Sequence, residues 1–385
     1  MSRIAFFCIP AWGHTNPTVE VVRELTKQGH TVRYYSFEEF RVKRESAGAE
    51  VVACDAFLPP QPADLERRVG KDFASLVEMV VDTTLALEET VCRELADFQP
   101  DGIVSDSVCF WGKLFAKRLG VPYICSTTTF AFNQQTSKLM KPKAGEMVRS
   151  ILGMPKVNRK MALLRQHGYP VEKLTDLLQN DNETSTIVYT SKEFQPMAET
   201  FSDQYAFVGP SVPAVTAAQR EKKRPLVYIS LGTVMNRNPA FYRNCFAALG
   251  DMDVDVVLST GGDVKWNAPA NFTVEKRVDQ LAVLAEADAF LTHCGMNSAN
   301  EAIWFGVPTI LFPQQSEEAA VAARMEELNL GVRLKRDTPE AIRTAVQQVL
   351  ADGQYRKNTQ QIAQSFRVSG GAKRAAAYIL DVCER

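Results

Sequence analysis

The chain has almost no net charge and no apolar run long enough to span a bilayer. Its 385 residues carry 44 Lys and Arg against 45 Asp and Glu, a formal net charge of -1. It therefore lacks the field that draws a protein to nucleic acid or to an anionic membrane, and any phosphate it holds must be held by local geometry. No segment approaches about 18 uninterrupted apolar residues. The run before Pro10 in MSRIAFFCIP is too short for a secretory signal. The expectation is a soluble, cytoplasmic protein with no membrane insertion and no nucleic-acid partner. The eight cysteines form no C-x-x-C pair and no Cys/His spacing suited to zinc. Several, such as Cys8 and Cys125, sit in strand-like apolar runs and read as reduced core residues. Neither G-x-G-x-x-G after an expected strand nor G-x-x-x-x-G-K-[ST] occurs, so the nicotinamide and ATP fingerprints are missing. Histidine is scarce, with four in the chain, and one of them, His14, stands after Gly13 in the polar stretch of IPAWGHTNPT.

What is present is a rhythm. IAFFCI, a helix from near Asn16 to Gly29, and TVRYYSF make a βαβ unit. DGIVSDS, a helix from about Val108 to Leu119 with Gly120 as its stop, and VPYICST make another. Residues 59–100 and 135–185 are helical and less regular, in keeping with either a substrate pocket or a solvated helical cap. SVPAVTAAQREKKRP reads as a linker, after which LVYISL, DVVLST, FTVEK, AFLTH and PTILFP alternate with helical patterns. The class is α/β, with two doubly wound domains in tandem. The boundaries fall at 1–210, a linker 211–224, 225–365, and a terminal amphipathic segment 366–385.

Ligands of open parallel sheets sit beyond the carboxyl ends of the strands, which directs attention to the residues after each apolar run. In the first domain these are His14 and Asp106. An aspartate on one imidazole nitrogen orients the ring and leaves the other nitrogen to take a proton. The alternatives are a locally hydrogen-bonded histidine at the helix start and a helix N-cap aspartate. In the second domain HCGMNS opens a helix. Gly295 permits close backbone approach there, and Asn297 and Ser298 bring donors beside the first-turn N–H groups, an anion site suited to a diphosphate. Glu301, a turn on, is placed to accept from ribose hydroxyls, whereas Glu317 and Glu318 are also ordinary first-turn charges. Asp251, Asp253 and Asp255 alternate but fall at the amino end of a strand, away from the rim, so no metal is expected. Cys294 beside His293 is a weak thiol candidate, since adjacent residues rarely aim at each other. Phe110, Trp111, Phe130 and Phe132 suit either an apolar, aromatic small molecule or the core.

GHTNP, SLGT, RVDQL, THCGMNSANEAIWFGVP and PQQSEE together resemble the UDP-sugar-dependent glycosyltransferases of family 1, nearest their bacterial macrolide and flavonoid branch, over nearly the whole chain. The resemblance implies the GT-B fold, two Rossmann-like domains facing a cleft, with the terminal helix packed back on the first. It also implies a metal-independent inverting reaction, no prosthetic group, a UDP-sugar such as UDP-glucose as donor co-substrate, and a monomer or weak dimer. Under it His14 is the base and Asp106 its partner. Val278 and Gln280 meet the uracil and Glu301 the ribose. Thr233, His293, Asn297 and Ser298 hold the diphosphate, and Glu317 and Glu318 read the sugar. Two departures stand out: Asp279 where relatives carry proline, and Glu318 where they carry glutamine, which trades an amide donor for a charged acceptor. A nucleotide-sugar epimerase of similar fold and a non-catalytic nucleotide-sugar-binding protein share these features.

Overall fold

The strand Arg3–Phe7 (β1) is buried at every position but its first, as a parallel strand covered on both faces should be. The computed structural model describes residues 1–59, 73–133, 135–136, 144–178, 180–213, 224–233, 236, 238–262 and 267–385. They form two units: Met1–Tyr189 with Gln195–Ser211 and Gly370–Arg385, and Thr190–Phe194 with Val212–Ser369. Residues 214–223 of the expected linker lie outside the described residues, as do Val234 and Met235.

In the first unit β1 is followed by β2 (Thr31–Ser36), β3 (Glu50–Ala53), β4 (Gly102–Asp106), β5 (Tyr123–Thr127), β6 (Thr186–Val188) and β7 (Tyr205–Phe207). All pair in parallel, in the order β3-β2-β1-β4-β5-β6-β7. The helices are α1 (Trp12–Lys27), α2 (Arg41–Glu45), α3 (Phe73–Phe98), α4 (Phe110–Leu119), α5 (Ala144–Gln166) and α6 (Leu174–Leu178). Alternate residues of β1 divide the core: Ala5 and Phe7 face α3, α4 and α5, while Ile4 and Phe6 share the opposite face with α1 and the terminal helix. The apolar sides of the two irregular helical stretches, Val77, Val80 and Val81 on α3 and Val157, Met161 and Leu164 on α5, therefore cover the sheet.

Helix α1 begins at Trp12, a turn earlier than Asn16. Proline favours the first turn of a helix, where its missing N–H is harmless, but Pro17 stands further in. In the protein it lies inside the helix, at the cost of one intrahelical hydrogen bond. His14 is thus part of the first helical turn rather than of a preceding loop. Helix α4 likewise begins at Phe110, not Val108, because the N–H of Val108 turns back to Asp106 Oδ1 at 3.0 Å.

The second unit repeats the plan with β8 (Leu226–Ser230), β9 (Asp255–Ser259), β10 (Phe272–Glu275), β11 (Ala289–Thr292), β12 (Thr309–Leu311) and β13 (Gly331–Arg333), ordered β10-β9-β8-β11-β12-β13 and parallel throughout. Its helices are α7 (Pro239–Leu249), α8 (Gln280–Glu286), α9 (Met296–Trp304), α10 (Ser316–Glu327), α11 (Pro339–Ala351) and α12 (Gly353–Val368). The segment from β13 through α12 continues the rhythm beyond the last helix expected from sequence. Helix α13 (Gly371–Glu384) belongs to the first unit, where Ala375, Ala376, Ile379 and Val382 join the core beneath β1. Full burial of Ile379 alone is worth about 1.5–3 kcal/mol.

Candidate active site

In both sheets the strand order reverses at the point where an open α/β sheet leaves a crevice beyond its strand ends. In the first unit that point lies between β1 and β4, which pair Phe7 with Ser105. The chain leaving β1 enters α1 and brings in His14; β4 ends on Asp106. His14 Nδ1 lies 2.7 Å from Asp106 Oδ2. Asp106 is 2% exposed, and its other oxygen accepts from Val108 N. A third group shares the nitrogen: Thr128, directly after β5, has its Oγ1 3.0 Å from His14 Nδ1. Thr128 was not foreseen, and nothing in the run TTTF distinguishes it. The four aromatic candidates divide. Phe110 and Trp111 lie in the core with Leu114 and Phe115, and Phe130 is buried, whereas Phe132 is 42% exposed.

In the second unit β8 and β11 pair Ser230 with Thr292, and the loops that follow carry Gly232 and Thr233 on one side and His293 to Gly295 on the other. A Cβ on Gly232 or on Gly295 would stand 2.5 Å from His293 Nε2. What approaches the Gly295 backbone closely is thus an imidazole of the same loop. Burial lowers the His293 pKa to about 4, against partial support from the Ser230 backbone, so the ring is neutral at neutral pH. Helix α9 starts from Gly295 with no side-chain cap and no acidic residue in its first turn, where Asn297 and Ser298 stand. The first-turn N–H groups and the positive end of the helix dipole favour an anion there.

Gln280 and Glu301 form one hydrogen-bonded unit. Gln280 Nε2 donates to Glu301 Oε2 at 2.5 Å and to Ser298 Oγ at 3.2 Å, while Tyr228 donates to Gln280 Oε1 at 3.1 Å. Tyr228 in turn stacks on Phe290, and Val278 packs against that cluster. Asp279 caps α8, its Oδ1 accepting from Ala282 N at 3.2 Å, which gives this residue a helix-starting role. Glu318 is buried, and its Oε2 accepts from the backbone N–H of Gln314 at 2.7 Å and of Gln315 at 2.9 Å. That carboxylate oxygen holds the loop before α10, while Glu317 beside it is exposed.

Residues 243–370 match the family described as erythromycin biosynthesis protein CIII-like, C-terminal domain. The NDP-glycosyltransferase YjiC of Bacillus subtilis is 36% identical over 390 residues, covering 98% of this chain and 96% of the relative. The chain is a bacterial family 1 glycosyltransferase. A demethyllactenocin mycarosyltransferase of Streptomyces fradiae is 31% identical, covering 98% of the glycosyltransferase described here and 86% of its own length. The crystal structure of the calicheamicin glycosyltransferase CalG4 aligns with a TM-score of 0.82 at 29% identity, covering 100% of this chain and 99% of that one. The fold is GT-B.

Two weaker candidates of the glycosyltransferase have structural partners. Cys294 is fully buried, and burial raises its thiol pKa well above the ordinary value, which leaves no thiolate for nucleophilic attack. Arg224 pairs with Asp255 at 2.5 Å, at the start of β9. Among the described residues no helix is long and apolar enough to cross a membrane.

The neutrality of His293 has a measurable consequence. Its pKa in the fold, about 4, lies below the ordinary 6.5, so the folded state resists a proton that the unfolded chain accepts. This stabilisation is complete above about pH 6.5 and is lost as the pH falls toward 4, by at most about 3 kcal/mol. Urea unfolding midpoints between pH 7 and pH 4 should fall more steeply for the native chain than for His293→Asn. Parallel slopes would place the loss elsewhere.

Proposed function

We propose that the enzyme moves a sugar, glucose in the first instance, from a UDP-sugar to a hydroxyl of a small hydrophobic acceptor such as a macrolide, a flavonoid or another phenol. His14 is the general base and no metal is required. The observation that carries this reading is the 2.7 Å contact between Asp106 and His14 Nδ1. A buried carboxylate accepting from Nδ1 keeps the hydrogen on that nitrogen and the basic lone pair on Nε2, and it stabilises the imidazolium formed when Nε2 takes the acceptor's proton. The acceptor oxygen then attacks the anomeric carbon from the face opposite the departing UDP, so an α-linked donor gives a β-glycoside. The new C–O bond forms as the bond to the diphosphate breaks, and the hydroxyl proton ends on His14.

Departure of UDP leaves negative charge on the diphosphate. Thr233, neutral His293, Asn297, Ser298 and the start of α9 meet that charge with hydrogen-bond donors and a helix dipole, the role a divalent cation has elsewhere. Val278 and Gln280 meet the uracil, Glu301, held by Gln280, accepts from the ribose, and Glu317 and Glu318 face the sugar. Names of relatives support the class of reaction: one is called an NDP-glycosyltransferase, another a mycarosyltransferase, a third an oleandomycin glycosyltransferase. Phe132 and Val108, exposed and apolar close in sequence to Thr128 and Asp106, suit an acceptor with an apolar surface.

The test is an assay of the purified protein with UDP-glucose and a panel of hydrophobic alcohols and phenols, with and without EDTA. Product mass should rise by one hexose in step with UDP release, EDTA should leave the rate unchanged, and the product's anomeric proton coupling should be that of a β-linkage. Turnover of the donor without an acceptor, or dependence on a divalent ion, would overturn the proposal.

A further inference from the structure

Thr128 is 3% exposed, and its hydroxyl and the Asp106 carboxylate approach the same ring nitrogen, at 3.0 and 2.7 Å. Three segments converge on that atom: the first turn of α1, the end of β4 and the residue after β5. A neutral imidazole nitrogen in such a place either carries one hydrogen or offers one lone pair. A carboxylate only accepts, whereas a hydroxyl both donates and accepts. With Asp106 in place, therefore, Nδ1 carries the hydrogen and points it at Oδ2, and the threonine oxygen serves as a second acceptor beside it.

Removal of the carboxylate reverses the role of the hydroxyl. Thr128 stays on Nδ1, and its O–H donates to a nitrogen that no longer has an obligate acceptor. That hydrogen bond favours the other tautomer, with the hydrogen on Nε2, where the base needs its lone pair. We propose that Thr128 is a positioning residue whose effect changes sign with Asp106: beside the carboxylate it supports the imidazolium, and without it the hydroxyl holds the ring in the inactive tautomer. Asp106 thereby selects the tautomer against a competing donor, in addition to stabilising charge. The inference rests on the reading of His14 as the base.

The test compares kcat for the native enzyme, T128V, D106A and D106A/T128V, with D106A/T128S as the control that keeps the hydroxyl. Valine matches threonine in shape, so packing changes little. In the native background T128V should lower kcat about three- to tenfold with both KM values unchanged, the size of one ordinary lost hydrogen bond. In the D106A background the same substitution should raise kcat by about threefold or more, and T128S should fail to do so. The hydrogen bond that Val108 N makes to Asp106 is lost equally in D106A and in the double variants, so it cancels from the comparison.

A second readout does not depend on turnover. The chain has four histidines, so the ring-nitrogen resonances of 15N-histidine-labelled protein can be assigned to His14 by their loss in H14A. They should show hydrogen on Nδ1 in the native enzyme, on Nε2 in D106A, and a mixture in D106A/T128V. If T128V lowers or leaves unchanged the activity of D106A, and the tautomer is the same in both, the role of Thr128 is overturned. An H14A enzyme of full activity defeats the base reading itself, whereas an inactive H14A without the sign change defeats only the Thr128 proposal.

Discussion

Replacing His14 with alanine lowers the rate of transfer to a neutral alcohol by about a hundred- to ten-thousandfold, the range that a positioned general base supplies, while UDP binding is retained. The groups proposed to hold the donor all belong to the second unit, and His14 sits on α1 of the first. Its loss therefore removes the proton acceptor without touching the diphosphate site. The size of the loss should depend on the acceptor. A phenol, with a pKa near 10, needs less help to surrender its proton than an aliphatic alcohol, so H14A should retain more activity toward phenols. The substitution also leaves the buried Asp106 carboxylate with the Val108 N–H and without its imidazole partner. An uncompensated buried charge of this kind lowers stability by several kcal/mol. Thermal unfolding and calorimetric UDP titration of the same preparation separate that cost from the catalytic one. Native rates with an alcohol acceptor would remove His14 from the mechanism.

The parts of this enzyme that were legible from its residues were those governed by a single local rule. Parallel strands covered on both faces are written as apolar runs, so IAFFCI and LVYISL announced β1 and β8. The rule that ligands gather beyond strand ends then put His14 and Asp106 on one rim, and β1 and β4 prove to be neighbours at the reversal of strand order. The start expected near Asn16 fell a turn short, for the helix begins at Trp12 and carries His14.

What was illegible required knowing which elements meet. The bond from Gln280 to Glu301 spans α8 and α9, and no spacing in the sequence couples those two side chains. Glu318 was open between an ordinary first-turn charge and a sugar reader, and which backbone groups one of its oxygens holds, those of Gln314 and Gln315, showed only in the fold. The periodicity of α13 marked it only as amphipathic; its place on the first unit, with its apolar side beneath β1, was legible through the family resemblance instead. Phe110 and Trp111 illustrate the limit in another way: a helix that buries one face on a sheet is written with the same aromatics as a helix that lines an apolar pocket, and these two lie in the core.

Replacing Gly232 with alanine raises the KM for the donor by about tenfold to a hundredfold, the effect of a few kcal/mol at a binding group, while the His14 and Asp106 chemistry persists at saturating donor. Two costs coincide at this residue. Its φ of 75° lies in the left-handed region, where a Cβ costs roughly 1–2 kcal/mol. The new methyl would also stand 2.5 Å from His293 Nε2, so the imidazole must move. Gly295 supplies the control, because its φ of -59° suits any residue while a Cβ there meets the same nitrogen at 2.5 Å. Gly295→Ala should therefore share the donor defect of Gly232→Ala without its backbone strain. In urea unfolding the difference between the two variants should be about the 1–2 kcal/mol of that strain. If Gly232→Ala keeps the native donor KM, displacement of His293 does not matter to the diphosphate, and the cradle must be sought in the first turn of α9 alone.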